Sequence, residues 1–272
     1  MIEPYYRDPD GTVVLYLGDS RQILPELGLQ ADLVVADPPY GETKNPWDRW
    51  PAGWLETVAG HSCSLWCFGS QRMFFKHLRD FEVAGWRLSQ DVVGHDDDGS
   101  PMYGDVNVVW EKHNGTGFAT DRFKRVHEHA LHWYRGPWGG VHQEVPRVAY
   151  TGSDKHAIAR ASRTPHTGAI GAHVYEDDGT RLMRSVIKAK SVRGKRRHPD
   201  EKPLDILKPL IEYGCPHDGL VVDPFAGSGS TLDAARRVRR RAVGIEASEE
   251  YAEAAARRLS EPLKIDLFGE AA

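Results

Sequence analysis

The stretch that most constrains the fold runs from Leu33 to Tyr40 and reads LVVADPPY. Its first four residues predict a buried strand, so Asp37 to Tyr40 lie at the carboxyl end of that strand, where open α/β sheets bind their ligands. The two prolines fix two φ angles and remove two backbone donors, which leaves the carbonyl groups of Asp37 and Pro38 without local partners. The stretch therefore predicts a rigid set of acceptors at a sheet edge.

These acceptors suit an exocyclic amino group on a flat base. A carboxylate beside a rigid carbonyl can accept both amino hydrogens, and Tyr40 offers a ring on which a base can stack. With both N–H bonds engaged, the nitrogen lone pair is less conjugated with the ring and can attack an electrophilic methyl carbon. We predict Asp37, Pro38, Pro39 and Tyr40 as catalytic residues. The alternative for an isolated Asp-Pro-Pro is a simple strand end.

A second stretch, Gly219 to Thr231, reads GLVVDPFAGSGST and predicts a strand, an acid and a small-residue loop that opens onto a helix. Such a loop lets backbone N–H groups approach a ligand, and the helix start favours a negative group. The loop lacks the Gly-Lys-Ser/Thr of a P-loop and the third glycine of the dinucleotide fingerprint. The strand Arg241 to Glu246 ends in an acid suited to ribose hydroxyls, at about the usual spacing of roughly 20 residues after Asp223. A nucleotide-like cofactor without a pyrophosphate is predicted, in contact with Asp223, Pro224, Phe225, Ala226, Gly227, Ser228, Gly229, Ser230, Thr231 and Glu246.

Strand and helix patterns alternate over much of the chain, which predicts a parallel, doubly wound sheet. Three further strands lack clear intervening helices and fit an antiparallel edge. The predicted strands outside the two stretches above are Thr12 to Leu17, Cys63 to Phe68, Trp86 to Gly94, Asp105 to Lys112 and His129 to Tyr134; the helices are Arg21 to Leu27, with Ser20 as a candidate cap, Ala52 to Gly60, Gln71 to Phe81, Leu204 to Tyr213 and Glu249 to Leu259.

DPPY, DPFAGSGST, the GIE at 244–246 and the HPDEKP at His198 to Pro203 together resemble the S-adenosylmethionine-dependent amino-methyltransferases that act on DNA. The order, with DPPY before the cofactor loop and an insert between them, resembles the beta class of that family. The resemblance covers nearly the whole chain except the insert. It implies an α/β, doubly wound, mostly parallel seven-stranded sheet of the Rossmann-like methyltransferase fold, circularly ordered, with S-adenosylmethionine as cofactor.

The resemblance also assigns roles and domains. Asp19 approaches the cofactor adenine, although a helix-capping or turn aspartate is the alternative. Lys202 and Pro203 cover the methionine end; Asp200 stands where a threonine is commoner. The segment around His127-Glu128-His129 is expected to be structural, near the target-base pocket. Residues 1–135 form the catalytic half, 136–197 a target-recognition insert and 198–272 the cofactor half.

The implied reaction is site-specific methylation of a flipped-out base in DNA, as in restriction–modification. Within the family, Asp at position 37 favours adenine N6, whereas Ser is commoner for cytosine N4. Cytosine N4 stays open as an alternative, as do an RNA or protein-amide acceptor and a catalytically silent DNA-binding relative. The loop Gly41 to Pro51 is a candidate lid over the flipped base, in which Trp47 either contacts the base or anchors the core.

Contacts with DNA are predicted for a basic run. Ile187 to Arg197 holds six basic residues and no acid, a composition that neutralises phosphates without reading sequence. A solvated basic face is the alternative. The net charge of −4 gives no such indication, since the distribution of charge matters more. The predicted DNA contacts are Lys188, Lys190, Arg193, Lys195, Arg196 and Arg197.

The sequence also bears on protein partners, disulfides, metal sites and location. The small insert raises the hypothesis that a second copy of the chain shares recognition, and Lys264 to Phe268 faintly resembles sliding-clamp peptides, with packing on the chain's own domain as the alternative. Three cysteines argue against a disulfide framework. No metal is predicted, because His61, Cys63 and Cys67 lack a fourth ligand and Asp96 to Asp98 fit a solvated turn. Without a signal segment or a run of roughly 18 apolar residues, a cytoplasmic location is expected.

Overall fold

A ten-stranded mixed sheet forms the centre of the larger of two compact units, which comprises residues 1–144 and 185–272. The structure, a computed structural model, describes residues 2–89, 92–95, 101–103, 106–116, 120–150, 158–159, 162–164, 168–170, 173–174, 178–191 and 201–263. Its strands are β1 (Tyr6–Arg7), β2 (Val13–Leu17), β3 (Leu33–Ala36), β4 (Ser64–Gly69), β5 (Arg87–Leu88), β6 (Val92–His95), β7 (Pro101–Tyr103), β8 (Asn107–Thr116), β9 (Arg125–Tyr134), β10 (Arg147–Ala149), β11 (Ile158–Ala159), β12 (Ser162–Thr164), β13 (Gly168–Ile170), β14 (His173–Val174), β15 (Thr180–Leu182), β16 (Val186–Ala189), β17 (Leu220–Asp223) and β18 (Arg241–Glu246).

The order of the sheet is β1-β2-β18-β17-β3-β4-β9-β8-β16, with β5 beside β9. The five neighbouring strands β2, β18, β17, β3 and β4 are parallel to one another, and β9 runs antiparallel to both β4 and β8. These seven strands, β2, β18, β17, β3, β4, β9 and β8, make up the predicted fold. Three short strands, β1, β5 and β16, extend the sheet beyond these seven. The predicted strand Trp86 to Gly94 is not continuous: β5 joins the main sheet, whereas β6 pairs with β7 in a separate two-stranded sheet.

Helices cover both faces of the sheet, as a doubly wound fold requires. Alternate residues of β3 point to opposite sides: Leu33 and Val35 pack in one core cluster, and Val34 and Ala36 pack in the other. None of the helices in the described part of the chain is long and apolar enough to cross a membrane. The helices are α1 (Ser20–Leu27), α2 (Trp54–Ala59), α3 (Gln71–Val83), α4 (Leu204–Gly214), α5 (Ser230–Arg237) and α6 (Glu249–Ser260), of which α4, α5 and α6 contribute to the first cluster and α1, α2 and α3 to the second.

The smaller unit comprises Val145–Arg184 and contains two-stranded pairs. In one pair, β10 and β15 run antiparallel, and the Arg147 guanidinium donates to Asp178 at 3.0 Å and to the Thr180 hydroxyl at 2.6 Å. This unit lies within the segment 136–197 that the sequence indicates as an insert. A role in target recognition remains a prediction.

Close packing at Gly244 on β18 gives a stability prediction. A Cβ on this residue would lie 2.7 Å from Leu232 Cδ1 and 3.0 Å from Ala226 Cβ, so α5 and the loop before it would have to shift. We expect Gly244→Ala to lower the free energy of unfolding by about 1–3 kcal/mol, as overpacking does. Urea unfolding measures this, with Gly139→Ala as the control, since a Cβ there meets no atom within 4 Å. Equal stability of the two variants would contradict the prediction.

Candidate active site

Four neighbouring parallel strands end at one edge of the sheet and bring the predicted site residues together. The strands β2, β18, β17 and β3 lie side by side, and Asp19, Glu246, Asp223 and Asp37 stand at or just beyond their carboxyl ends. A cavity of about 620 Å³ lies at this edge, within the usual range of ligand sites. All of the predicted catalytic and cofactor-binding residues line it except Pro203 and Gly229.

The Asp37 carboxylate is the best-connected group of the catalytic turn. Its Oδ1 accepts a hydrogen bond from the Tyr40 hydroxyl at 2.7 Å, and its Oδ2 accepts one from the Lys202 ammonium at 2.5 Å. Pro38 is buried and Pro39 half-buried. Burial raises the pKa of the Asp37 carboxyl, while Lys202 opposes that rise; burial and the neighbouring Asp37 also raise the pKa of Tyr40. The turn thus presents a carboxylate that already binds N–H and O–H donors.

Asp37 belongs to a partly buried chain of alternating charges. The Lys202 ammonium also lies 3.7 Å from Glu128 Oε2, and the Lys112 ammonium lies 2.7 Å from Glu128 Oε1. Burial acts to raise the pKa of the Glu128 carboxyl, but Lys202 and Lys112 hold it below its usual value. Lys202 additionally sits 5.2 Å from the centre of the Phe68 ring. Two carboxylates and two ammonium groups therefore stabilise one another beside the catalytic turn.

The segment Glu201–Pro203 connects this charge chain to the predicted cofactor loop. Pro203 is buried and is the N-cap residue of α4. Glu201 forms a buried ion pair with Arg258 of α6. The Arg258 guanidinium also donates to the Ser228 carbonyl at 3.1 Å and to the Ser230 hydroxyl at 2.8 Å. Arg258 thereby fixes the position of this segment relative to the loop.

The predicted cofactor loop adopts the backbone that its glycines permit. Gly227 and Gly229 have φ angles of +52° and +77°, in the left-handed region that favours glycine. Glu246 accepts from the Gly227 N–H at 2.7 Å and from the Ser248 N–H at 2.8 Å, so its carboxylate is held facing the cavity. Burial raises the pKa of Asp223 to about 7, and its Oδ1 accepts from the Phe225 N–H at 2.9 Å. A fixed carboxylate beside a glycine loop fits the ribose of a nucleotide-like cofactor.

Asp19 caps helix α1, a position that the sequence suggested for Ser20. Its carboxylate accepts from the Arg21 N–H at 2.9 Å and pairs with the Arg21 guanidinium at 2.5 Å. Ser20 is the first helical residue, so its assignment as the cap was wrong; both residue types are good caps, and local sequence cannot choose between neighbours. Asp19 also lines the cavity, so its cofactor role stays a prediction.

The loop after the catalytic turn is organised by Asp48. Its buried carboxylate accepts from the backbone N–H groups of Gly41, Glu42 and Thr43 at 2.7, 3.0 and 2.6 Å, and these bonds hold the pKa of Asp48 below its usual value against the effect of burial. Trp47 is 47% exposed and lines the cavity, so it does not anchor the core. The loop thus holds a fixed shape at the mouth of the cavity.

Removing the Asp48 carboxylate tests whether this loop serves the acceptor side of the site. We expect Asp48→Ala to leave three N–H groups without their acceptor, to lower the free energy of unfolding by about 1–3 kcal/mol and to raise the KM for the acceptor substrate roughly tenfold. The dissociation constant of the predicted cofactor should stay within about twofold, since the hydrogen bonds that Asp48 accepts come from Gly41, Glu42 and Thr43 and not from the loop at 223–231. Steady-state kinetics and calorimetric titration measure the two quantities. A change confined to cofactor affinity would contradict this role.

The predicted DNA-contacting run is only partly described. Lys188 is exposed on β16 and pairs with Glu111 at 3.2 Å, and Lys190 is exposed. Arg193, Lys195, Arg196 and Arg197 lie outside the described residues, as do Asp96 to Asp98 and the tail from Lys264 to Phe268. Within the described ranges, no group of three or more His, Cys, Asp or Glu side chains is arranged to hold a metal ion.

Sequence reasoning missed several residues of this site. It assigned no role to Glu201, Arg258 or Asp48, and it expected only a structural role for the segment that contains Glu128. The acid beside Lys202 in HPDEKP and the acid between two histidines were the only available signals. Arg258 gave none, since an arginine late in an amphipathic helix is usually solvated.

Comparisons with known proteins agree with this geometry. The family model N6_N4_Mtase, described as DNA methylase, matches residues 31–257. The type II methyltransferase M.ScaI of Streptomyces caespitosus is 28% identical over 94% of this chain and 84% of its own length. Among solved structures, the M1.HpyAVI–SAM complex superposes with a TM-score of 0.61 at 21% identity, covering 90% of this chain and 99% of the other. The cytosine-N4-specific PvuII DNA methyltransferase gives a TM-score of 0.61 at 16% identity, covering 97% and 91%. The two structures share the fold.

Proposed function

The chain belongs to the DNA methylase family of N6 and N4 amino-methyltransferases, and from that membership we propose that it methylates adenine N6 at specific sites in DNA, with S-adenosylmethionine as the methyl donor. The observation that carries the proposal is the Asp37 carboxylate at the carboxyl end of β3, which already accepts the Lys202 ammonium and faces the same cavity as Glu246. A carboxylate that binds an N–H donor and a carboxylate suited to ribose hydroxyls thus line the same cavity. The type II methyltransferase relative supports action at a defined site.

The cofactor end of the cavity is assigned to the glycine loop and Glu246. In this proposal Glu246 accepts hydrogen bonds from the ribose hydroxyls, and the carboxylate keeps lone pairs for them beside its two backbone N–H bonds. Asp19 faces the adenine end, and Lys202 closes the opposite end; Pro203, next to Lys202, begins helix α4 and does not line the cavity. When bound, S-adenosylmethionine supplies an electrophilic methyl group.

At the acceptor end, Asp37 and the Pro38 carbonyl accept the two hydrogens of the target amino group. This arrangement directs the nitrogen lone pair out of the base plane, toward the methyl group. The nitrogen then loses one proton, for which the Asp37 carboxylate is the adjacent base, and its raised pKa makes it a better acceptor at neutral pH. Tyr40 stacks on the extruded base while its hydroxyl holds Asp37 in position. Extrusion is required because the duplex hides the reacting atom.

The choice of adenine over cytosine rests on the family resemblance at position 37, where Asp is typical of the N6-adenine enzymes and Ser is commoner in the N4-cytosine enzymes. The amino groups of adenine and cytosine are chemically alike, so the geometry of Asp37 alone serves both.

The test is methyl transfer from labelled S-adenosylmethionine into unmodified DNA of mixed sequence, followed by separation of the hydrolysed nucleosides. We expect the label in N6-methyladenine. Label in N4-methylcytosine would overturn the choice of base and keep the site assignment. Cofactor binding without label in DNA would overturn the proposed reaction.

A further inference from the structure

The hairpin of β8 and β9 carries a phenylalanine that lies wholly in solvent. Thr116 pairs with Arg125 at the end of the hairpin, and the described part of the turn that leads into β9 is residues 120–124. Phe123 in this turn is fully exposed, at 102% of its reference area. A single exposed apolar side chain is common and by itself indicates nothing. Two further observations indicate a role for Phe123: the cations beside it, and the extension of strand β9 from it to the active site.

Cationic side chains flank Phe123 on both sides. Arg122, Lys124 and Arg125 are exposed neighbours in the sequence. Arg122 is paired with Asp121 at 2.7 Å, whereas among the described residues Lys124 and Arg125 have no acidic side chain within 4.0 Å. An aromatic ring followed directly by two cations that have no acidic partner is complementary to a nucleic acid, whose phosphates attract the charges and whose bases stack on the ring.

Strand β9 connects this turn directly to the charge chain of the active site. Arg125 lines the active-site cavity, and Glu128 contacts Lys202 beside the catalytic turn. Glu128 follows Phe123 by five positions, which corresponds to about 17 Å along an extended strand. This length is comparable with the roughly 12 Å width of the DNA major groove, so Phe123 is close enough to the cavity to contact a duplex whose base has entered it.

We propose that Phe123 inserts into the base stack of duplex DNA beside the extruded target base, with Lys124 and Arg125 on the flanking phosphates. Apolar side chains inserted between base steps are an established way to hold an unstacked duplex. The inference rests on the proposed function, because it takes the methylated base to be extruded from a duplex. It gives the β8–β9 turn a role in opening the substrate, separate from the chemistry at Asp37.

The experiment compares two substrates that differ only in how readily the target base leaves the stack. One is the matched duplex that the enzyme methylates, and the other has an abasic site opposite the target base. We expect Phe123→Ala to lower kcat/KM on the matched duplex roughly 5- to 100-fold, which corresponds to the loss of one base–aromatic stack, and by less than about threefold on the abasic duplex. Phe123→Trp should restore the activity on the matched duplex.

A matched control is available on helix α3. Phe75 is 75% exposed, so Phe75→Ala removes a similar ring from another surface and should leave both rates unchanged. Equal losses on both duplexes in Phe123→Ala, or no loss on either, would overturn the insertion role. Absence of methyl transfer by the wild-type protein would instead overturn the proposed function. Fluorescence of 2-aminopurine placed next to the target base then tests Phe123 without catalysis: an increase on binding that Phe123→Ala removes supports insertion, and an unchanged increase contradicts it.

Discussion

We expect Asp37→Asn to lower kcat/KM for methyl transfer about 1,000-fold and to leave the dissociation constant of S-adenosylmethionine within about threefold. The substitution keeps the volume of the side chain but exchanges one carboxylate oxygen for an NH₂ donor. That donor faces either the Lys202 ammonium or the target amino group, and it can accept neither. The base is then held with its nitrogen misdirected and without an adjacent proton acceptor, so the chemical step is lost while the cofactor still binds.

Single-turnover methyl transfer and calorimetric titration of the cofactor measure the two expected results separately. Asp10→Asn is the matched control, because Asp10 is exposed in a turn and lies outside the cavity. More than a tenth of the wild-type rate in Asp37→Asn would contradict the role of the carboxylate. Loss of cofactor binding in the same variant would indicate that Asp37 shapes the cofactor end instead.

The second large effect is expected for Lys202→Met. Removing this ammonium leaves the Asp37 and Glu128 carboxylates buried without the charge between them, and breaking a buried ion pair from one side costs about 3–5 kcal/mol of stability. Burial already raises the pKa of Asp37, and Lys202 opposes the rise, so its loss raises that pKa further. A protonated Asp37 donates where it must accept.

The pH profile of kcat/KM distinguishes this effect from a general loss of structure. Activity that needs the Asp37 carboxylate is present above its pKa and is lost as the pH falls through it, so the acid limb of the profile should move to higher pH in Lys202→Met. In Lys202→Arg, which keeps the charge, the acid limb should lie closer to its wild-type pH than it does in Lys202→Met. Lys208→Met on helix α4 is the control and should keep the wild-type profile. A uniform drop in rate with an unmoved acid limb would contradict a charge role for Lys202.

The two ends of the candidate site could be predicted from the sequence because each is formed by residues at the end of a single strand. Asp37 and Asp223 follow apolar runs directly, and parallel strands bring their carboxyl ends to one edge, so strand position alone places both acids. Glu246 follows from the same logic and an ordinary spacing. The fold prediction succeeded for a related reason, since β3 and β17 are apolar runs bounded by turn signals, which indicate buried strands even at four residues.

The connections between these ends depend on contacts that no local pattern encodes. Lys202 meets Asp37 across 165 residues, and Arg258 meets Glu201 across 57. A charged side chain in a sequence gives no sign of being buried, because charged residues are exposed by default. Asp48 gives no sequence signal either, because its role depends on three backbone N–H groups that the folded loop brings to its carboxylate. The family resemblance placed Lys202 near the cofactor, but its contact with Asp37 and the contacts of Glu201, Arg258 and Asp48 are visible only in the structure.

The most direct test of the account is the distance between the target amino nitrogen and the Asp37 carboxylate in a crystal structure with sinefungin and a duplex that carries the methylated site. We predict an extruded adenine whose N6 lies within about 3.2 Å of an Asp37 oxygen and of the Pro38 carbonyl oxygen. The Lys202 ammonium should then have moved from Asp37 toward Glu128, since one carboxylate oxygen cannot hold both donors in the same direction. A base stacked in the cavity with its amino group more than about 4 Å from Asp37, and with Lys202 still bound there, would contradict the assignment of Asp37 as the group that holds the acceptor.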